Sequence, residues 1–236
     1  MKIKIPGIYI LLLAILLGCD GRGVQLSNKK DQIVDISGTI KGGYRHISTI
    51  PSNDTLKYTV YRGDYVKFQI DDGGDSRSEY ELNIPELSIK TILFDNMTDQ
   101  PYFKMKNTGK YQFKLGDQMG VLDVVELRQS NYLEVSAEES WKMINKNPPF
   151  ILDVRRNEEF NTGHLRGAKL IPLQELQLRL TEIEMYKNQP ILIYCATGNR
   201  STTASKILLD NDFKHVMNMR MGIMAWGSKG YNIQFN

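Results

Sequence analysis

The sequence predicts two domains, an all-β sandwich followed by an α/β domain with a mostly parallel sheet. Three observations carry this expectation. From about Ile33 to Leu127, apolar and polar residues alternate in short runs between turn-forming residues, the period of half-buried strands. From Ser136 onward, short apolar runs alternate with segments of helical spacing, the pattern of a parallel sheet covered on both faces. Finally, Ile191 to Ser205 (I-L-I-Y-C-A-T-G-N-R-S-T-T-A-S) joins a buried strand to a helix through a tight loop that opens on a cysteine. A chain of 236 residues is long enough for two small domains.

The first 18 residues read as an export signal. Lys2 and Lys4 give a positive start, and Ile8 to Leu17 is an apolar run too short to span a bilayer. The run ends in Leu16-Leu17-Gly18-Cys19, which resembles the lipobox of bacterial lipoproteins. That resemblance implies cleavage before Cys19, acylation of its thiol and a lipid anchor in a membrane. The other reading is an ordinary secretory signal with a cysteine by chance. With Asp20 after the cysteine, the resemblance implies the bacterial cell envelope, on the periplasmic face of the inner membrane. Gly21 to Lys30 is polar and glycine-containing, so 19–30 reads as anchor and tether.

Composition narrows the function classes. With 24% charged and 41% apolar residues the chain is globular rather than disordered. A net charge of +3, without a basic stripe interleaved with aromatics, gives no reason to expect a nucleic-acid partner.

The first domain is expected over 31–128. Leu56, Tyr58 and Val60 alternate with polar residues, as do Val66, Phe68 and Ile70, then Tyr80, Leu82 and Ile84, and then Tyr111, Phe113 and Leu115. Turns are expected at Gly42-Gly43, Arg62-Gly63-Asp64, Asp71 to Asp75 and Asn107-Thr108-Gly109, and no helical period intervenes. The segments V-Y-R-G-D-Y-V-K-F-Q-I, Y-E-L-N-I-P-E-L-S-I-K and N-T-G-K-Y-Q-F-K-L-G-D-Q-M-G-V-L-D resemble the cupredoxins, most of all the copper domain of cytochrome oxidase subunit II and nitrous oxide reductase. The resemblance implies a cupredoxin-like sandwich. It also implies ligands where Tyr80, Leu115, Met119, Asp123 and Glu126 stand, and none of these is the family's ligand. The domain is therefore expected to hold no copper, and no metal or cofactor is expected elsewhere. A spacer, a docking surface for a protein partner, or a device that sets the second domain's height above the membrane all fit.

Arg128 to Leu133 reads as a linker, and the second domain is expected over 133–235. Ser136 and Glu139 form a capping box, Ala137, Trp141 and Ile144 give the helix an apolar face, and Asn147-Pro148-Pro149 stops it. Phe150 to Val154 reads as a buried strand with Asp153 and Arg155 at its carboxyl end. A short helix over Arg156 to Phe160, a turn at Gly163-His164 and a brief strand over Lys169 to Ile171 follow. Leu173, Leu176, Leu180 and Ile183 recur at helical spacing. After the cysteine loop and the helix from Arg200 to Leu209 come a strand over His215 to Asn218 and a last helix over Gly222 to Lys229, with Trp226 packed inward.

The loop carries the chemistry. A strand, a tight turn of Ala196, Thr197, Gly198 and Asn199, and a helix N-terminus at Arg200 and Ser201 make an anion cradle from backbone N–H groups. Helix N-termini and nearby cations lower a cysteine pKa from about 8.5 into the range of about 3.5–7.5. Cys195 beside Arg200 is thus placed to be a thiolate that handles an anionic substrate. With two cysteines in all and Cys19 acylated, Cys195 has no partner for an intramolecular disulfide. A small buried core residue is the other reading of a lone cysteine.

Three ordered motifs then resemble the rhodanese family: I-L-D-V-R-R-N-E-E-F-N-T-G-H-L-R-G-A-K-L-I-P, I-Y-C-A-T-G-N-R-S and M-G-I-M-A-W-G-S-K-G-Y. Met221 departs from the pattern, which has a glycine there. The resemblance implies a sulfurtransferase in which Cys195 takes sulfane sulfur from a small donor such as thiosulfate and passes it to a thiol or cyanide. It implies that the backbone of Ala196, Thr197, Gly198, Asn199 and Ser201 holds the anion, that Arg200 binds the donor, that Asp153 and Arg155 brace the loop, and that His164 is a turn residue rather than a base. The dual-specificity phosphatases share the fold but have a loop one residue longer than the six from Cys195 through Arg200. A persulfide-carrying or docking module with little turnover is the alternative of another class.

Overall fold

Alternating apolar residues build nine strands ahead of residue 126 in the computed structural model, which describes residues 34–50, 54–71, 78–94, 97 and 99–235. They are β1 (Thr39–Lys41), β2 (Tyr44–Thr49), β3 (Leu56–Tyr61), β4 (Tyr65–Ile70), β5 (Glu79–Ile84), β6 (Ile89–Phe94), β7 (Phe103–Lys104), β8 (Gly109–Leu115) and β9 (Gln118–Val125). The export signal, Cys19, Asp20 and the tether lie outside the described residues, as does most of the expected Asp71–Asp75 turn. The strands form two sheets, ordered β1-β2-β4-β7 and β3-β9-β8-β5-β6. One apolar core is shared between them: Phe68 on β4 and Phe113 on β8 meet with ring centroids 5.2 Å apart, and both are 1% exposed. Within these sheets β2–β4 and β3–β9 pair in parallel. Pro85–Leu87 forms a single 3-10 turn, too short to have left a helical period in the sequence.

The second half alternates strands and helices. In chain order these are β10 (Tyr132–Val135), α1 (Ala137–Lys146), β11 (Phe150–Asp153), α2 (Asn157–Asn161), β12 (Lys169–Leu170), α3 (Leu173–Leu176), β13 (Pro190–Tyr194), α4 (Asn199–Asp210), β14 (His215–Met219) and α5 (Gly222–Ser228). The sheet runs β10-β14-β13-β11-β12, and every pairing is parallel. The central strand β13 is fully buried from Ile191 to Tyr194, as a strand covered on both faces must be.

Three expectations need correction. The linker read over Arg128 to Leu133 is shorter, because Tyr132 and Leu133 already pair with Val216 and Met217 as the start of β10. A four-residue strand at a sheet edge shows too little alternation to declare itself in sequence. Trp141 does not join a buried face of α1: it is 41% exposed and stacks on Tyr231, with 5.5 Å between centroids, while Ala137 and Ser140 are the buried positions. The leucine-rich stretch is also interrupted. It forms α3 and then a 3-10 segment, Leu180–Tyr186, with Leu173, Leu176 and Ile183 all fully buried.

The β-rich region packs directly on the strand-loop-helix unit. Its turn at Arg62-Gly63-Asp64 meets the N-terminal part of α4, where Thr203 Oγ1–H donates to the Gly63 carbonyl at 3.2 Å. Asp64 is held beneath the turn by Arg45 and by the Tyr61 N–H at 2.9 Å. Tyr61 belongs to the same apolar cluster as Leu152, Ile193 and Cys195. Arg62 ties the halves together by bonding Glu126 at 2.8 Å and also Glu134 on β10. Gly63 has φ +99°, and a Cβ there would lie 2.7 Å from the Asn199 carbonyl oxygen and 2.8 Å from Thr202 Cβ. Gly63→Ala combines an unfavourable φ with overpacking, so it is expected to cost about 2–4 kcal/mol in urea unfolding. A loss below about 1 kcal/mol would show that the contact is not tight.

Candidate active site

β13 runs between β11 and β14, so its carboxyl end opens at the middle of the sheet, where open α/β sheets place their sites. Cys195 is the first residue past it. Gly198, with φ +91°, turns the chain into α4. This brings the Gly198 N–H to 3.1 Å from Cys195 Sγ and the Ser201 hydroxyl to 3.6 Å, both aimed at the sulfur. Cys195 is free and 1% exposed. Ala196, Thr197 and Asn199 complete the turn between strand and helix.

The far side of the loop is clamped by α5. Ile223 N–H donates to the Cys195 carbonyl at 2.9 Å, and Met224 N–H to the Ala196 carbonyl at 3.2 Å. Gly222 makes this approach possible: at φ +54°, a Cβ would stand 2.1 Å from the Cys195 carbonyl oxygen. Met221 before it also adopts the left-handed conformation, with φ 61° and 57% exposure. A methionine there carries backbone strain that glycine lacks and buries little side chain in return. Met221→Gly is therefore expected to raise stability by about 1 kcal/mol in thermal unfolding. Destabilisation by this substitution would mean the methionine makes contacts that outweigh its φ.

Arg200, in the first turn of α4, forms a two-pronged ion pair with Glu159 of α2, both contacts 2.6 Å. The hydrogen bond from Arg200 is the main cause that holds the Glu159 carboxyl below its ordinary range, and the same bond holds Arg200 above its own. The Arg156 N–H also donates to the Glu159 carboxylate, to the Oε2 that Arg200 Nη1 binds, at 3.2 Å. Asp153, fully buried at the end of β11, accepts from Arg155 Nη2 at 2.6 Å and Nε at 2.9 Å. Arg155 also donates to the Glu159 and Gly163 carbonyls, at 3.0 and 2.8 Å. The pair thus ties β11 to α2 and to the turn after it. His164 is 5% exposed, stacked on Phe160 at 3.8 Å.

Sequence reasoning missed one side of the site. A cavity of about 460 Å³ is lined by Arg156, Glu159, Gln174 and Arg200 from the α/β half, and by Tyr44, Tyr65, Tyr102, Lys104 and Lys106 from the β-rich half. Burial, first, pushes the Tyr65 hydroxyl well above the usual tyrosine range, and the charge of Arg200 opposes it. Arg200 lines the cavity and stands in the first turn of α4, directly after the cysteine loop, so the cavity borders that loop. In sequence, Tyr65 looks like one more strand aromatic, and only the twelve tyrosines of the chain hint at a concentration. Among the described residues no group of three or more His, Cys, Asp or Glu stands together in a way that would hold a metal ion.

Comparison with known proteins agrees with this geometry. The family model for the Rhodanese-like domain matches residues 136–229. A "Sulfurtransferase" of Allochromatium vinosum is 30% identical over 101 residues, 42% of this chain and 92% of that protein. The "Putative sulfur carrier protein YrkF" of Bacillus subtilis is 26% identical over 203 residues, 85% of this chain and 83% of that one. The "Uncharacterized protein YqhL" of Bacillus subtilis is 38% identical over 79 residues, 34% of this chain, and the chain spans 61% of its length. With its parallel sheet, its cysteine loop at the end of the central strand and these matches, the chain belongs to the rhodanese-like family through residues 136–229.

Proposed function

We propose that the protein is a sulfurtransferase that moves sulfane sulfur through a persulfide on Cys195. The observation that carries this reading is the cysteine sulfur accepting the Gly198 N–H at the start of α4, a site suited to an anionic sulfur. The Cys195 thiolate attacks the outer sulfur of thiosulfate. A new S–S bond forms, the S–S bond to the sulfonate breaks, and sulfite leaves with the electron pair. The Cys195 persulfide then yields its outer sulfur to cyanide or a thiolate, and the Cys195 thiolate is restored. The Gly198 N–H and the Ser201 hydroxyl, both aimed at Sγ, are placed to hold the anionic sulfur through both steps. Arg200 binds the anionic donor while Glu159 fixes its guanidinium, and the Asp153–Arg155 pair braces the strand ends beneath the loop.

Initial rates with thiosulfate and cyanide both varied test this reading. Parallel double-reciprocal lines are expected of the two-step route, and intersecting lines would contradict it. The broad likeness to a protein named as a sulfur carrier favours a second reading, in which the persulfide is handed to a protein partner. Under that reading Cys195 loads fully in one turnover, while cyanide turnover stays slow.

We further propose that the protein is exported and acylated at Cys19, which would hold it in the bacterial envelope, and that the β-rich half is a copper-free relative of the cupredoxins. Cys19→Ser is expected to move the protein out of the membrane fraction. Retention in that fraction would contradict the anchor.

A further inference from the structure

Thiosulfate is a compact tetrahedral ion, and the cavity beside Cys195 is far larger than it needs. At about 460 Å³ the cavity falls in the range, about 300–1,000 Å³, that encloses organic ligands of considerable size. Its character is divided. Lys104, Lys106, Arg156 and Arg200 face a single carboxylate among the lining residues, Glu159, which Arg200 already neutralises. The remaining positive charge has no acidic counterpart in the wall and suits an anion.

The opposite character comes from three tyrosines. Tyr44, Tyr65 and Tyr102 pack on one another with centroids 5.1 to 6.3 Å apart. Tyr102 remains 48% exposed within this cluster, so the cluster presents a ring face rather than filling a core. Lys104 sits over the Tyr65 ring at 4.9 Å and Lys67 over Tyr44 at 4.5 Å, which places cations at the margin of the aromatic surface. Every one of these residues comes from the β-rich half, while Cys195, Glu159 and Arg200 come from the other.

We infer that the β-rich half forms the specificity wall of the active site, and that the wall selects an anionic sulfane-sulfur donor carrying a flat apolar body, such as an aryl thiosulfonate, over thiosulfate. The inference rests on the sulfur-transfer reading. The chemistry is that of thiosulfate with a different leaving group. The Cys195 thiolate attacks the terminal sulfur of R–SO2–S⁻, the new S–S bond forms, and the bond between that sulfur and the sulfonyl sulfur breaks. R–SO2⁻ departs with the electron pair, and no outside oxidant or reductant is required. The aryl group lies against Tyr102 and Tyr65, and the sulfonyl oxygens face the lysines and Arg200.

The test compares kcat/KM for benzenethiosulfonate and thiosulfate, with cyanide as acceptor, in the full chain and in its Tyr102→Ala and Lys106→Ala variants. Both side chains are exposed, so neither substitution removes core packing. The expected preference for benzenethiosulfonate is about tenfold or more, the scale of one aromatic contact set, and it should fall at least about threefold in Tyr102→Ala. Lys106→Ala should raise KM for benzenethiosulfonate. A smaller preference, or one that survives Tyr102→Ala, overturns the inference while leaving sulfur transfer from thiosulfate intact. If neither donor transfers sulfur to Cys195, the sulfur-transfer reading itself falls, and this inference with it.

Discussion

Cys195→Ser is expected to abolish sulfur transfer, with a loss of more than about 10³-fold in kcat/KM for any donor. A serine oxygen fits where Sγ sits and keeps the Gly198 N–H as a partner, so the loop should retain its shape. A serine hydroxyl is a far weaker nucleophile than a cysteine sulfur near neutral pH. Nor can an oxygen hold a persulfide. Unfolding of the variant should match the parent within about 0.5 kcal/mol, since one near-isosteric side chain changes. Residual transfer within tenfold of the parent would place the nucleophile elsewhere, and Cys195 would revert to a core residue.

Asp153→Ala should give the largest stability loss, about 3–5 kcal/mol in urea unfolding, because it leaves the Arg155 guanidinium buried without its carboxylate. Asp153 is fully buried, Arg155 is 4% exposed, and the carboxylate accepts from the Arg155 backbone N–H at 2.9 Å as well as from the side chain. The cost should reach the site too. Asp153 pairs in register with Tyr194, the residue before the nucleophile, and Arg155 anchors the Glu159 carbonyl. Replacing both members, as in Asp153→Ala with Arg155→Met, should recover part of the loss, since no charge is then stranded. A single-variant loss near zero would mean that water or another acceptor reaches Arg155.

The α/β half was legible because its signals are local. The capping box at Ser136 is present, with Glu139 N–H donating to Ser136 Oγ at 3.1 Å, and α1 ends at Lys146 before the paired prolines. The reacting loop was legible for the same reason: Cys195, Gly198, Arg200 and Ser201 lie in one stretch, so the strand and helix that flank them fix their geometry. What escaped notice depends on distance. The Arg200–Glu159 pair joins residues 41 apart, and no spacing rule links an arginine at a helix start to one carboxylate on another helix. The tyrosine wall is more remote still. Strand alternation puts Tyr65 on the face opposite Val66, Phe68 and Ile70, and only the packing of the β-rich half on the α/β half decides that this face meets the cavity. The short edge strand β10 failed for want of length, and Met221 in a left-handed turn contradicts its own residue type.

The most direct measurement is intact-mass spectrometry of the full chain incubated with thiosulfate and then with cyanide. One sulfur atom is expected to be gained, mapped to Cys195 by peptide analysis, and lost on adding cyanide. A chain that stays at its starting mass with thiosulfate and with benzenethiosulfonate, while Cys195 remains reduced and open to alkylation, would contradict sulfur transfer through this cysteine.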